Sequence, residues 1–139
     1  MIKLIDDTDI FLDICDKIKE VKCCEYKENA LYNYMISGLY GKQIFTLADY
    51  DKQLNGCVIF TVEENLNKDL IIMVIFMWID KHYSKLLKQF INIIEDKARE
   101  FKVKKVCFTV RDNTPAIERK AGKDGYKKTY YIYEKAMGE

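Results

Sequence analysis

Ten consecutive residues, LIIMVIFMWI (70–79), carry neither a charge nor a helix breaker, and they constrain the fold more than any other stretch. A strand with one face to water alternates apolar and polar side chains, so a run that is apolar at every position needs cover on both faces. The run is about half the length of a membrane-spanning helix. It reads as the central strand of a sheet with helices on both sides. The size allows this: 139 residues with 49% hydrophobic and 32% charged content suit one soluble globular domain, and residues 1–139 are read as a single domain.

The rest of the chain supplies neighbours and cover. IKLI (2–5) is a short strand. Acidic residues and Thr8 then precede Ile10, Phe11, Ile14, Ile18 and Val21, which is capping chemistry followed by helical spacing. Residues 27–41 repeat the logic, with Leu31, Tyr34, Met35 and Ile36 near one face and Gly38 and Gly41 as stops. Two β-rich runs within 42–64 flank Asp49 to Gly56, whose Asp-Tyr-Asp and Asn-Gly read as the turn of an antiparallel hairpin. From Ser84, a possible N-cap, the residues Leu86, Leu87, Phe90, Ile91, Ile94, Ala98 and Phe101 keep helical spacing. A strand over 103–110 completes a strand-helix-strand unit that should pair in parallel. Asn113 or Thr114 caps a further helix that starts at Pro115, with Gly122 and Gly125 as stops. A tyrosine-rich strand over 126–137 closes the chain. The expected class is α/β with a mixed (α+β) sheet, in the order β-α-α-β-β-β-α-β-α-β.

Composition narrows the function. With 23 basic and 22 acidic residues the net charge is +1, so no global field draws nucleic acid or an anionic membrane, and neither is expected as a partner. Lysines 102, 104, 105, 120, 123, 127 and 128 make the last third locally basic, as a solvated face or a contact for a polyanion. Five cysteines without CxxC spacing, and a start that lacks a signal-peptide pattern, fit a reducing cytoplasm. With His82 the single histidine, no closed zinc ligand set is expected. Cys57 and Cys107 fall in strands, where cysteine acts as a small hydrophobe. The few glycines and many Lys, Ile and Asn residues suit an AT-rich bacterial or phage genome. The sequence does not choose between a monomer and a homodimer.

Asn113 and Ala116, the step Gly125-Tyr126 and the closing YEK (133–135) form a pattern, and the run FINIIEDKAREFKVKKVCFTV (90–110) precedes it. With the element order, these residues make nearly the whole chain resemble the GNAT superfamily of acyl-CoA-dependent N-acetyltransferases. The resemblance implies acetyl-CoA as cofactor and an amine as acceptor. In that family the turn after the fourth strand carries an Arg/Gln-x-x-Gly-x-Gly/Ala motif, whose backbone amides cradle the coenzyme's pyrophosphate at a helix N-terminus. Here those positions are His82, Tyr83, Ser84, Lys85, Leu86 and Leu87, so both glycines are replaced. The turn is either an altered cradle, in which Ser84 and Lys85 add a hydroxyl and a cation, or a plain connection.

The resemblance also places the strand end Met77, Trp78 and Ile79 along the pantetheine arm, and counts Asn113 among the cofactor-binding residues. The strands at 70–79 and 103–110 are expected to part towards their ends, so that the arm can pair with exposed backbone. The carboxylate the family often carries on the fourth strand is missing from LIIMVIFMWI. Lys120 and Ala121 stand near its usual tyrosine. No catalytic residue is therefore assigned, although Glu63, Glu64, Tyr130, Tyr131 and Tyr133 are available. A protein-binding module without catalysis is the alternative reading.

Overall fold

The computed structural model describes residues 1–19, 28–41, 43–108, 115–129 and 133–138. The chain divides into two compact units, 1–109 and 110–139. The first holds β1 (Ile2–Leu4), α1 (Thr8–Ile18), α2 (Glu28–Leu39), β2 (Ile44–Tyr50), β3 (Leu54–Glu64), β4 (Leu70–Ile79), α3 (Leu86–Glu100) and β5 (Lys105–Phe108). These strands form one sheet in the order β1-β2-β3-β4-β5, antiparallel except for the parallel pair β4/β5. β4 has a neighbour on each side. α1 and α2 cover one face, packing Phe11, Ile14, Leu31 and Met35 onto Ala48, Leu54, Cys57, Ile59 and Phe76. α3 covers the other, setting Leu86, Phe90 and Ile94 on Leu47, Val58, Phe60, Ile72 and Val74.

An apolar run of ten conceals which side chain faces which way, and the structure resolves this with a bulge. Ile59 pairs with Phe76 and Phe60 with Val74, so Ile75 is an extra residue on β4. The bulge inverts the alternation of faces. Ile72 and Val74 face α3 before it, whereas Met77 and Ile79 do so after it, and Phe76 and Trp78 turn to the α1/α2 side.

Several local expectations are corrected by packing. Gly38 lies inside α2 and does not stop it, and an added Cβ there would sit 2.5 Å from the Ile44 carbonyl oxygen, so glycine permits the close approach of α2 to β2. The hairpin turn is Asp51 to Gln53, closed by the Asp51 side chain accepting from Gln53 N–H at 3.1 Å, while Asn55 and Gly56 belong to β3. A Cβ on Gly56 would meet Leu86 Cδ1 at 3.0 Å and Phe90 Cε2 at 3.2 Å. That glycine is where α3 crosses the sheet. α1 is capped by Asp7, which accepts from Asp9 N–H at 2.8 Å, in place of Thr8. α3 ends through Lys102 at φ 56°, with Val103 N–H bonded to the Ala98 carbonyl, the six-to-one bond of a Schellman end.

The second unit contains α4 (Pro115–Lys123), with proline at its first position as expected. Gly122 lies within α4, and Gly125, at φ 88°, ends it as Tyr126 N–H reaches the Ala121 carbonyl. Residues 126–129 and 133–137, read from sequence as part of a closing strand, form no strand among the described residues; 130–132 lie outside them. Val21, Asn113 and Thr114 also lie outside the described residues.

Candidate functional site

The site worth building up is the turn from β4 into α3, because it brings a strand end, a helix N-terminus, two lysines and the one histidine together. Asp80 directs it. Its N–H donates to the Asn55 carbonyl at 2.9 Å and so ties the turn to β3. Its carboxylate accepts from His82 N–H at 2.8 Å, and its carbonyl accepts from Tyr83 N–H at 2.9 Å. This closes a 3-10 turn over Lys81–Tyr83. α3 follows, with Lys85 at the cap position and no side-chain bond there. Ser84 is therefore not the helix cap; an aspartate four residues earlier caps the turn instead. An aspartate directly after a strand and before a helix is a cap signal visible in the sequence.

Of the residues the sequence singled out, Lys81's neighbours His82, Tyr83, Ser84 and Lys85 are exposed, as a ligand-facing turn requires. Leu86 is 6% exposed and packs over Gly56, so its side chain belongs to the core, and only its backbone can face a ligand. Leu87 is half-buried. Met77 and Ile79 pack under α3, whereas Trp78 packs on the opposite side, with the Lys17 ammonium 5.1 Å from its ring centre. The three do not form one surface. β4 pairs with β5 from Ile71↔Lys105 to Val74↔Phe108, and the expected parting beyond that concerns residues 109 and 110, outside those described.

The same end of the sheet holds the groups with displaced proton affinities. Asp49, Gly56 and Ile79 share a row. The Met1 amino group 2.6 Å from Asp49, together with the Asn55 amide, holds that carboxyl below the usual carboxylate range. Asn55 is 1% exposed, and its Oδ1 has no partner among the described residues. Tyr50 donates to Asp13 Oδ2 at 2.8 Å, and this bond and the carboxylate's charge raise the phenol. Sequence reading missed the Asp13–Tyr50 and Lys17–Trp78 pairs, since each joins α1 to a distant strand.

A cavity of about 110 Å³ lies between α1 and α2, lined by Leu12, Cys15, Asp16, Lys19, Asn29 and Tyr32. It has room for a few waters and not for a coenzyme. Among the described residues no group of His, Cys, Asp and Glu is arranged to hold a metal ion, and no helix is long and apolar enough to cross a membrane.

No protein-family model and no curated protein sequence matches the chain. Solved structures do. A possible acetyltransferase from Clostridium difficile 630 is similar at TM-score 0.72 and 16% identity, covering 100% of this chain and 98% of its own. An aminoglycoside 6'-N-acetyltransferase from Acinetobacter haemolyticus gives 0.76 at 13% identity, covering 100% and 99%. AAC(6')-Iy in complex with the bisubstrate analog CoA-S-monomethyl-acetylneamine gives 0.78 at 8%, covering 99% and 97%. At these identities the likeness speaks for architecture alone: the chain has the fold of the GNAT acetyltransferases along its whole length.

Proposed function

We propose that the protein binds acetyl-CoA and transfers the acetyl group to an amine, in a reducing cytoplasm. The observation that carries the reading is the full-length fold shared with acetyltransferases, one of them held with a coenzyme A conjugate. Within that fold the β4–α3 turn offers what an anionic cofactor needs: the N-terminus of a 15-residue helix and the exposed cations Lys81 and Lys85 beside His82. In this reading the coenzyme's pyrophosphate lies over residues 82 to 87, held by the backbone of that turn and by Lys85. Met77 to Ile79 flank the pantetheine arm. The fit is good at the helix end and in the cations. It is poor where the Lys85 and Leu87 side chains replace glycine and where Asp80 adds a negative charge.

When bound, acetyl-CoA supplies an acetyl group activated as a thioester. The chain's own part is to hold it and to exclude water around the strand end; β4 contributes no carboxylate as proton acceptor. That absence, with the altered turn, favours a second reading, a GNAT-fold module that binds a protein partner without catalysis. Calorimetry with acetyl-CoA separates the two. Saturable heat at submillimolar ligand supports the first. Neither heat nor a thermal shift at millimolar ligand, with one stoichiometric protein partner co-purifying, establishes the second.

A further inference from the structure

We propose that Asn55 is a self-modification site held latent by the fold: an Asn-Gly pair that loses its side-chain amide once β3 comes apart, leaving a chain that cannot regain its native stability. The inference is independent of the acetyl-CoA reading.

The chemistry lies in the pair itself. When glycine follows asparagine, its backbone nitrogen reaches the side-chain amide most easily, because no side chain stands in the way and φ is least restricted. Of the chain's asparagines, Asn55 is the one followed by glycine. The Gly56 nitrogen attacks Asn55 Cγ, the new C–N bond closes a succinimide ring, and Nδ2 leaves as ammonia with the proton that the attacking nitrogen gives up. Water then opens the ring at either carbonyl. The product is aspartate or, with the main chain rerouted through the side chain, isoaspartate. One water is consumed and one ammonia released, and no cofactor or oxidant takes part.

The folded protein withholds each requirement. Gly56 lies in the ladder between Asp49 of β2 and Ile79 of β4, and a Cβ there would meet Leu86 at 3.0 Å and Phe90 at 3.2 Å, so the backbone has no room to turn into a ring. The Asn55 amide is fixed by donating to Asp49 Oδ2 at 3.0 Å, and its main-chain carbonyl by accepting from Asp80 N–H at 2.9 Å. At 1% exposure, water is kept from both.

The same surroundings make the product a poor fit. Asn55 Oδ1 has no partner among the described residues, while Nδ2 serves the carboxylates of Asp49 and Asp51. A carboxylate in this place finds no donor, and it turns the bond to Asp49 into a buried contact between like charges. Isoaspartate instead lengthens the main chain by one carbon in a strand paired on both sides. Either product works against refolding.

The experiment incubates the native protein at mildly alkaline pH, folded and in urea, and follows every asparagine by peptide mapping with mass spectrometry. In urea, Asn55 should convert ahead of the other asparagines. Folding should slow that conversion by about a hundredfold or more, since a strand paired on both sides opens for a small fraction of the time. In urea, Gly56→Ala should convert several-fold more slowly than the native sequence, because its methyl group hinders ring closure. Asn55→Asp, which reproduces the aspartate product, should unfold at lower urea than the native protein or fail to fold. The inference is overturned if folding slows conversion by less than the expected factor, or if Asn55 in urea is no faster than the other asparagines. An unchanged rate in Gly56→Ala, or an Asn55→Asp protein as stable as the native one, overturns it as well.

Discussion

Replacing Gly38 with alanine sets helix propensity directly against packing. Inside a helix, alanine is favoured over glycine by about 1 kcal/mol, so propensity alone makes Gly38→Ala stabilising. The structure predicts the opposite, because the new Cβ would lie 2.5 Å from the Ile44 carbonyl oxygen, well inside any tolerated contact. That oxygen is backbone at the start of β2, so relief requires α2 to back away from the sheet by roughly 0.7 Å. A gap of that size forfeits between a quarter and a half of the dispersion energy of the contacts it opens. Leu31 and Met35, 2% and 1% exposed, would loosen with it. Overpacking of this kind costs about 3 kcal/mol, which leaves a net loss near 2 kcal/mol after the propensity gain. The melting temperature should fall by roughly 5–10 °C for a chain of this size. Urea unfolding followed by the fluorescence of Trp78, the chain's one tryptophan, measures it, with far-UV circular dichroism as a second probe. Gly122, inside α4 with nothing within 4 Å of its added Cβ, is the internal control: Gly122→Ala should raise α4 helicity, worth about 0.5–1 kcal/mol. A Gly38→Ala protein as stable as the native one would refute the packing argument.

Gly56→Ala should cost about 1 kcal/mol by pressing on Leu86 and Phe90, both enclosed, and by moving the start of α3 it should also weaken coenzyme A binding; unfolding and calorimetry on one preparation report both. Lys85→Ala should weaken coenzyme A binding by about 1 kcal/mol, the scale of one exposed charge-assisted contact, and an unchanged affinity would move the ligand elsewhere. Lys85→Gly discriminates further, since tighter binding would mean the side chain obstructs the backbone and weaker binding that its charge has replaced the glycine. Burial pushes the Cys57 thiol up to about 12, so peptide mapping after iodoacetamide treatment of the native protein at pH 8 should find Cys57 unmodified. The thiol ionises more readily in the unfolded chain than in the folded one. Stability should accordingly decline as pH climbs from the ordinary thiol range towards 12.

How far the chain could be read depends on the range of the interaction behind each feature. The central strand was legible because ten apolar residues in a row admit one environment, and the structure gives β4 the same bounds, 70–79. α1, α2 and α3 were legible from helical spacing, and the parallel β4/β5 pair from the strand-helix-strand order. Local turn chemistry was a poorer guide. Asn55-Gly56 is a strong hairpin signal, yet Asp51 closes the turn and the glycine is spent on the approach of α3, a requirement set by residues 30 and more positions away. Gly38 misled in the same way, since what it accommodates is the Ile44 carbonyl.

At the candidate site, the sequence by itself placed a strand end, a glycine-free turn and an amphipathic helix in succession. It did not determine the β4 bulge, because a run apolar at every position carries no alternation from which an extra residue could be detected. Only the pairing of β3 with β4 decides that Met77 and Ile79 face α3 while Trp78 faces α1. Nor did it determine the tie of the turn to β3, which Asp80 makes by donating its backbone N–H to the Asn55 carbonyl. Periodicity and propensity are properties of neighbouring residues and survive in the written sequence. Register and close backbone approach arise between segments far apart in the chain, and they exist only once the sheet has formed.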